Sequence, residues 1–410
     1  MYWETGNSMA YNKKIVLAYS GGLDTSVAIR WLQKQYEAEI VTLTIDLGAN
    51  SDLEESRSRA LEIGAIRADV VDLREEFITD YVWPALHAGA LYEGVYPLAT
   101  ALGRPLIAKH LVRIAQEEKA FAIAHGCTGK GNDQVRFDVS AAALAPDLKV
   151  LAPAREWGMG RDEEIEYAKR EGIPLKLASP SAYSTDENLW GRSVEAGSLE
   201  DPWFEPPEDA YAWTSSIKDA PEDQEYIEIS FEKGNPTSLN GKAMSPLQIV
   251  QTIHDVGARH GVGRIDHIEN RLVGIKSREI YEAPAATVLT LAQKALESMV
   301  LTKDQARFKE RMAVEYADLV YNGLWFSAHR IDLDAYVRST QQFVSGIVRL
   351  RMHKGSVDVV GRKSDFALYQ HELATYDTGD IFDHKSSEGF INIYGLPTRT
   401  QARIQGKGIG

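Results

Sequence analysis

The sequence predicts an α/β protein whose N-terminal part is a doubly wound parallel sheet that binds a nucleotide. Short apolar segments alternate with amphipathic stretches up to about residue 180, a pattern that places helices on both faces of a parallel sheet. A glycine-rich loop separates the first apolar segment from the first amphipathic stretch, where a helix N-terminus can receive phosphate. Beyond residue 226 the pattern changes to strands and long helices, which predicts a second, α+β domain.

The predicted strands of the first domain are short apolar runs. They cover residues 15–19, 40–45, 69–71, 121–124 and 149–151. Between the first two, apolar side chains recur at helical spacing, and this predicts a helix that begins near Thr25. The order strand, glycine loop, helix is typical of nucleotide-binding sheets.

The second half of the chain is punctuated by proline and by helix caps. Five prolines fall within residues 179–223, so we expect no regular element there. A strand is expected at 226–231. Ser245 and Thr302 each stand three residues before a glutamine, which predicts two capped helices with structural roles. A further helix is expected at 364–376.

These patterns predict three parts of the chain. Residues 1–180 are expected to form a nucleotide-binding domain, residues 181–362 a second domain, and residues 363–410 a C-terminal helix and tail. A terminal segment far from its own core is often an oligomerisation arm. A disordered tail is an equal alternative for the final ten residues.

Composition excludes several classes of function. The 410 residues carry a formal net charge of −14, which disfavours a general nucleic-acid or anionic-membrane surface. The single cysteine, Cys127, cannot form an internal disulfide, a cysteine-rich zinc site or a paired redox centre. With no signal-peptide pattern and no run of eighteen apolar residues, we expect a cytoplasmic protein.

The first glycine-rich loop, Ser20-Gly21-Gly22-Leu23-Asp24-Thr25-Ser26, directly follows the first strand. Its glycines let backbone N–H groups converge, and the helix N-terminus adds partial positive charge, so the loop can hold pyrophosphate. Asp24 is a candidate metal-facing or phosphate-positioning carboxylate, and helix capping is the alternative. A Walker loop is excluded because no Gly-Lys-Ser/Thr triplet is present, and a dinucleotide fingerprint lacks its spacing. A plain strand-to-helix turn is the remaining structural alternative.

A second loop follows the 121–124 strand. It reads His125-Gly126-Cys127-Thr128-Gly129-Lys130-Gly131-Asn132-Asp133-Gln134-Val135-Arg136-Phe137. Flexible glycines and many donors and acceptors stand together at a strand end that faces the first loop in such a fold. Arg136 suits a carboxylate because its planar fork donates two parallel bonds, and an ion pair with Asp133 or Asp138 is the alternative. We expect His125 to be packed and not to act as a base.

The first loop resembles the pyrophosphatase loop of synthetases that cleave ATP between the α and β phosphates. That loop alone leaves open amidotransferases, tRNA-thiolating enzymes and argininosuccinate synthases. Three further blocks, 128–137, 186–193 and 263–282, resemble the argininosuccinate synthase family in order and spacing. With the first loop they span residues 14 to about 290, and they place the chain in the N-type ATP pyrophosphatase superfamily.

The resemblance implies binding residues for three substrates. ATP is expected at Ala18, Tyr19, Ser20, Gly21, Gly22, Leu23, Asp24, Thr25, Ser26, Thr42 and Gly126. L-Aspartate is expected at Thr128, Asn132 and Asp133. L-Citrulline is expected at Tyr96, Asn132, Arg136, Ser184, Ser193, Glu269 and Tyr281. The chain departs from the family by reading Thr100-Ala101 where many members have Thr-Ser, so Thr100 is the candidate for the missing hydroxyl.

The implied reaction joins citrulline to aspartate in arginine biosynthesis, through a citrulline-adenylate, with release of AMP and pyrophosphate. The protein would catalyse this reaction by positioning the substrates and stabilising charge, with Mg²⁺ accompanying ATP. Asp24 and Asp133 are the catalytic candidates, Asp133 as the partner or base of the aspartate amine. No dedicated metal site is predicted. The resemblance also implies that residues 1–180 are an ATP-binding domain, that residues 181–362 are a synthetase and multimerisation domain, and that the protein is a homotetramer.

Other functions remain as alternatives. A tRNA-thiolating enzyme is disfavoured by the single cysteine and the acidic charge. An amidotransferase is disfavoured because no N-terminal catalytic cysteine or glutaminase-like segment is present. A nucleotide-sensing module without catalytic activity would explain the first loop and leave the later blocks without a reason.

Overall fold

The structure is a computed structural model that describes residues 13–49, 52–174 and 183–406. Its contacts divide the chain into two compact units, of which the first ends at Phe366 and the second begins at Ala367. Across these residues, none of the helices is both long and apolar enough to cross a lipid bilayer. The predicted division at residues 180 and 362 stays a prediction.

A parallel sheet forms the first part of the larger unit. Its strands are β1 (Lys13–Ala18), β2 (Ala38–Asp46), β3 (Arg67–Asp72), β4 (Ala122–Ala124) and β5 (Lys149–Leu151). Their spatial order is β3-β2-β1-β4-β5, and every neighbouring pair is parallel. The chain leaves β1 toward β2 and later returns to its other side at β4. This reversal makes the carboxyl ends of β1 and β4 the expected ligand crevice.

All five predicted strands are confirmed within a few residues of their predicted ends. The helices of this region are α1 (Leu23–Tyr36), α2 (Leu53–Ile63), α3 (Arg74–Glu76), α4 (Trp83–Ala88), α5 (Ala99–Glu117), α6 (Asp133–Leu144), α7 (Pro153–Glu156) and α8 (Arg161–Arg170), with a π-helical turn at Phe77–Val82. Apolar side chains of α1, α2 and α8 cover one face of the sheet, and those of α5 and α6 cover the other. The doubly wound arrangement is therefore confirmed.

Two antiparallel sheets follow. The first contains β6 (Ser184–Asn188), β7 (Gly191–Glu195), β11 (Arg264–Asn270) and β12 (Lys276–Glu282), in the order β11-β12-β7-β6. The second contains β8 (Glu225–Glu232), β9 (Asn235–Leu239), β10 (Lys242–Ala243), β13 (Gly346–His353) and β14 (Ser356–Lys363), in the order β10-β9-β8-β13-β14. The predicted strand at 226–231 lies within β8.

The expectation of no regular element in 179–223 was wrong. Residues 175–182 lie outside the described part of the chain, but β6 and β7 form a hairpin directly after them, and short 3-10 turns follow at Gly197–Glu200 and Glu208–Ala210. These strands are mostly polar: Asn188 is the only buried residue of β6, and β7 buries Gly191, Arg192 and Val194. The partner that completes their sheet, β12, lies some eighty residues further along the sequence.

Long helices complete the larger unit. They are α9 (Pro246–Arg259), α10 (Pro284–Val300), α11 (Lys303–Tyr321) and α12 (Ala328–Thr340), followed by a 3-10 turn at Gln341–Phe343. Both predicted capping boxes are confirmed: Ser245 Oγ accepts from the Gln248 N–H, and Thr302 Oγ1 accepts from the Gln305 N–H, each at 3.3 Å. The reciprocal glutamine bonds are also present.

The smaller unit consists of α13 (His371–Ala374), α14 (His384–Tyr394) and α15 (Leu396–Gln405). The predicted helix at 364–376 was wrong, because only its last third is helical and Ser364 Oγ instead accepts from the Phe366 N–H in a turn. Large apolar side chains of α14 and α15 are exposed, among them Phe390, Ile393 and Tyr394. Within this unit, therefore, the helices leave apolar surface uncovered.

Candidate active site

The first loop occupies the turn between β1 and α1. Gly21 has φ +78°, a conformation that suits glycine. Ser20 Oγ and Thr25 Oγ1 are 3.1 Å apart, as are the Tyr19 hydroxyl and Ser26 Oγ. From α2, Arg59 donates to the Gly21 carbonyl at 2.7 Å. The loop is thus fixed by its own hydroxyls, and its N–H groups begin a helix that can bind an anion.

The second loop touches the first. A Cβ added to Gly126 would lie 2.8 Å from Thr25 Cγ2, so the two predicted ATP-binding segments approach as closely as glycine allows. In the neighbouring strand β2, the Thr42 hydroxyl is buried and has no partner among the described residues. Such an unpartnered hydroxyl beside the crevice is available to a ligand.

Asp24 lies in the first turn of α1 and shares a hydrogen bond with Glu164 of α8. Burial, this hydrogen bond and the charge of Asp24 raise the pKa of Glu164 to about 8. Two carboxyl groups therefore meet beside the phosphate loop, and one of them carries a proton at neutral pH.

Asp133, the first residue of α6, binds two arginines. Arg104 of α5 donates to one carboxylate oxygen at 2.9 Å, and Arg136 donates to the other at 2.9 Å. Arg104 also forms an ion pair with Asp186 of β6. Burial alone would raise the pKa of Asp133, but the two guanidinium groups hold it below its usual value. Asp186 shares only Arg104, and burial raises its pKa.

Asn132 and Arg136 connect the second loop to distant parts of the chain. Asn132 donates to the Tyr321 hydroxyl at 2.8 Å and accepts from the Leu272 N–H at 2.9 Å. Arg136 Nε donates to the Tyr321 carbonyl at 3.0 Å, and its guanidinium lies 4.9 Å from the Tyr321 ring centroid. Arg136 Nη2 is buried and has no partner among the described residues. A buried donor of this kind points to a missing acceptor.

Tyr96 and Thr100 lie on the other side of Arg136. Their hydroxyls are 2.8 Å apart, and Arg136 Nη1 approaches Thr100 Oγ1 at 3.4 Å. Ala101, the position at which the family resemblance implies a serine in many members, is fully buried. The structure therefore places the Thr100 hydroxyl in the group of polar atoms around Arg136.

Glu269 is a buried carboxylate held by two phenols. The Tyr281 hydroxyl donates to one oxygen at 2.5 Å and the Tyr321 hydroxyl to the other at 2.6 Å. Burial and the Glu269 charge raise the pKa of both phenols, so both remain protonated donors at neutral pH. The Tyr281 ring stacks on Tyr96 at 4.3 Å between centroids. Through Tyr321, this cluster joins Asn132 and Arg136.

Three predicted residues stand at the margin of this cluster. Ser193 pairs with Tyr281 across β7 and β12, and its hydroxyl donates to the Asp186 carbonyl at 3.4 Å. Ser184, the first residue of β6, and Thr128, in the second loop, are exposed. Within the part of the chain that the structure describes, no hydrogen bond joins the side chain of Ser184 or Thr128 to the buried cluster.

Two residues that sequence reasoning missed organise the site. Arg104 joins Asp133 to Asp186, and Tyr321 joins Asn132, Arg136 and Glu269. Both lie on long helices whose sequence reads as ordinary packing. Their only sequence signal is a polar group in a helix whose neighbouring residues are mostly apolar.

Comparison with known proteins gives one consistent result. Two family models match, the arginosuccinate synthase N-terminal HUP domain at residues 14–174 and the arginosuccinate synthase C-terminal domain at residues 183–401. A relative from Dehalococcoides mccartyi named argininosuccinate synthase is 57% identical over 96% of this chain and 97% of its own. Relatives of the same name from Symbiobacterium thermophilum and Gloeobacter violaceus are also 57% identical over 96% of this chain, covering 98% and 99% of theirs.

Proposed function

This chain belongs to the argininosuccinate synthase family, as a ligase that joins L-citrulline to L-aspartate in arginine biosynthesis, and we propose how its residues share that task. The observation that carries the proposal is the buried Nη2 of Arg136, for which the described residues offer no hydrogen-bond partner. It lies among residues from four separate parts of the sequence, each of which the family resemblance assigns to substrate. A pocket that leaves one guanidinium nitrogen free is prepared for an anionic ligand group.

For citrulline, we propose that Arg136 Nη2 donates to the α-carboxylate, with Thr100 as a second donor. Glu269 and Tyr281 then receive the α-ammonium, because Glu269 is a buried carboxylate on the same cluster. Ser184 and Ser193 on the hairpin would contact the rest of the amino acid from the cluster's margin. This arrangement leaves the ureido group free to face the second loop and ATP.

For aspartate, we propose that Thr128, Asn132 and Asp133 form the binding residues. Asp133 stays ionised because both its oxygens accept from arginines, so it can hold the substrate ammonium. A carboxylate whose pKa is lowered removes a proton poorly, so we assign Asp133 to holding the amine near the reacting carbon and not to deprotonating it. Arg104, bound to the same carboxylate, fixes its orientation.

For ATP, we propose that the first loop holds the β and γ phosphates, while Thr42 and Gly126 border the nucleoside. Mg²⁺ is expected with ATP and would neutralise phosphate charge. The residues fit this ion, because Asp24 presents hard carboxylate oxygens beside the loop, and Glu164 would add a second carboxylate once the cation displaces its proton. Among the described residues, no group of three or more His, Cys, Asp or Glu side chains is arranged to hold a metal by itself. Phosphates would therefore supply most of the ligands.

The reaction then needs two displacements. The citrulline ureido oxygen attacks the α phosphorus, the bond to the bridging oxygen breaks, and pyrophosphate leaves. The aspartate amine attacks the central carbon of the adenylated isourea, loses a proton, and AMP leaves with the former ureido oxygen. In both steps the attacking atom belongs to a substrate, so this route requires no nucleophilic side chain. The protein positions the reactants and stabilises charge.

An assay with omitted substrates tests this proposal. AMP and pyrophosphate are measured with ATP, citrulline and aspartate, and then without each amino acid in turn. We expect both amino acids to be needed for turnover, and ¹⁸O placed in the citrulline ureido group to appear in AMP. Formation of ADP, or AMP without the label, would contradict the adenylate route.

We also propose a homotetramer in the cytoplasm. The exposed apolar side chains of α14 and α15 support contacts with further copies of the chain, because such surface is rarely left open to water. The single cysteine suits a reducing compartment. Light scattering of the full chain and of the variant Phe390→Ser/Ile393→Ser tests the assembly. A tetramer should become smaller in the variant, and an unchanged mass would exclude this surface.

A further inference from the structure

We propose that four residues outside the substrate-binding set form a brace that fixes the second loop in its binding conformation. The brace consists of His125, Gln134, Asp138 and Arg155. They are positioning residues, since none of them belongs to the groups assigned above to a substrate. The inference deepens the proposed function, because the braced segment, 126–132, carries the residues proposed for ATP and aspartate.

His125 holds the first end of the loop. Its Nδ1 accepts from the Cys127 N–H at 3.2 Å, so this nitrogen carries no proton. Its Nε2 therefore carries the proton and donates to Asp138 at 2.9 Å. The ring is buried and stacks on Phe137, with 5.2 Å between centroids. A neutral imidazole in one tautomer thus links the loop backbone to helix α6.

Gln134 holds the other end. Its Nε2 donates to the carbonyl of Gly129 at 2.5 Å and to that of Gly131 at 3.2 Å. Its Oε1 accepts from Arg155 at 3.2 Å. The amide is therefore oriented, because exchanging its oxygen and nitrogen would place donors against Arg155 and acceptors against both carbonyls.

Arg155 of α7 joins the two ends. It donates to Gln134 and also to Asp138, at 2.8 Å. Burial would raise the pKa of Asp138, but the hydrogen bonds from His125 and Arg155 lower it, so its carboxylate remains an acceptor for both. One guanidinium outside the loop therefore completes a closed set of bonds around it.

The brace compensates for the composition of the loop. Gly126, Gly129 and Gly131 give its backbone a freedom that must be lost before substrates can be aligned. Gly126 is required for contact with Thr25. Bonds that fix the loop in advance reduce the ordering needed on binding. Loss of the brace should therefore weaken binding of ATP and aspartate more than it slows the chemical steps.

Kinetics of the full-length enzyme test this inference. For Arg155→Met we expect the KM for aspartate to rise roughly 3- to 10-fold, because about one net hydrogen bond that fixes the loop is lost. We expect kcat to change less than twofold. Arg155→Lys should recover part of the loss. The control is Arg113→Met, which removes a surface pair with Glu117 on α5 and should leave both constants unchanged.

His125 variants separate its two bonds. His125→Asn retains an acceptor for the N–H two residues later, as asparagine commonly does in turns, but it loses the hydrogen bond to Asp138. His125→Ala loses both. The KM for aspartate should therefore increase in the order wild type, His125→Asn, His125→Ala. Equal effects of the two variants, or a change confined to kcat, would overturn the positioning role.

Amide hydrogen exchange gives a readout that does not depend on catalysis. In the enzyme without substrates, residues 126–132 should exchange faster in Arg155→Met and His125→Ala than in wild type and Arg113→Met. Unchanged exchange would refute the brace even if activity fell. Faster exchange in an enzyme whose wild type made no AMP would support the brace and contradict the proposed function.

Discussion

The contact between the two loops leads to a sharp prediction at Gly126. Replacement by alanine places a Cβ 2.8 Å from Thr25 Cγ2, well inside normal carbon contact distance. Thr25 cannot readily turn its methyl group away, because Thr25 Oγ1 is bound by Ser20 Oγ at 3.1 Å and donates to the Gly22 carbonyl at 3.3 Å. One loop must therefore move.

Overpacking of this kind costs about 1–3 kcal/mol. If the displacement falls on ATP binding, the KM for ATP rises roughly 5- to 150-fold, since about 1.4 kcal/mol is a factor of ten. The assay is initial-rate pyrophosphate release at saturating citrulline and aspartate. Gly129→Ala is the matched control, because a Cβ at Gly129 meets nothing within 4 Å.

A second substitution tests the cause. Thr25→Ser keeps the hydroxyl and removes the methyl group that the new Cβ meets. In the double variant Gly126→Ala/Thr25→Ser we expect most of the ATP affinity to return, with a coupling energy of about 0.5–3 kcal/mol between the two changes. An additive loss, or a Gly126→Ala enzyme as active as Gly129→Ala, would refute the steric reasoning.

Three further predictions follow from the site. Tyr321→Phe removes a hydrogen bond to buried Glu269, so we expect the unfolding free energy from urea titrations to fall by about 1.5–3 kcal/mol and the KM for citrulline to rise. The control Tyr316→Phe, on the same helix, should lower the unfolding free energy without changing this KM. Glu279 of β12 is buried, and burial together with the nearby Glu195 carboxylate raises its pKa from the ordinary 4.5 to about 8. Between these pH values the folded wild type binds more protons than the unfolded chain and loses stability as the pH rises, whereas Glu279→Gln should lose less in urea titrations over the same range. Asp24→Ala should abolish most activity while its melting temperature stays close to that of wild type, and near-normal turnover would exclude a role in ATP binding.

Local sequence patterns predicted the first domain well, because each of its elements is specified by neighbouring residues. A buried parallel strand is predicted by a run of apolar residues, and the glycine-rich loop predicts the helix that follows it. The β6–β7 hairpin escaped prediction because its polar strands are stabilised by β12, far away in sequence. The predicted helix at 364–376 failed for a related reason. None of the residues in its short helical part, His371–Ala374, is buried, so the spacing of the apolar residues there is not determined by packing against a core.

The same distinction applies to the site. Asp133 and Arg136 are one helical turn apart, and the sequence predicted an ion pair between them as the alternative to substrate binding by Arg136. The structure contains this ion pair, at 2.9 Å. This pair is compatible with the proposed substrate-binding role, because Arg136 uses Nη1 for Asp133, and its Nη2 has no partner among the described residues. Sequence reasoning treated the two roles as competitors.

Arg104 and Tyr321 required the tertiary fold, because their partners lie on other elements. Tyr321 is the informative case: its hydroxyl binds both Asn132 and Glu269, while its carbonyl and its ring both contact Arg136. A single side chain at the end of α11 therefore makes the positions of Asn132, Arg136 and Glu269 depend on one another. Because Tyr321 and Asn132 are 189 residues apart in the sequence, this cluster forms only when both segments are folded together, which explains why no single motif specified it.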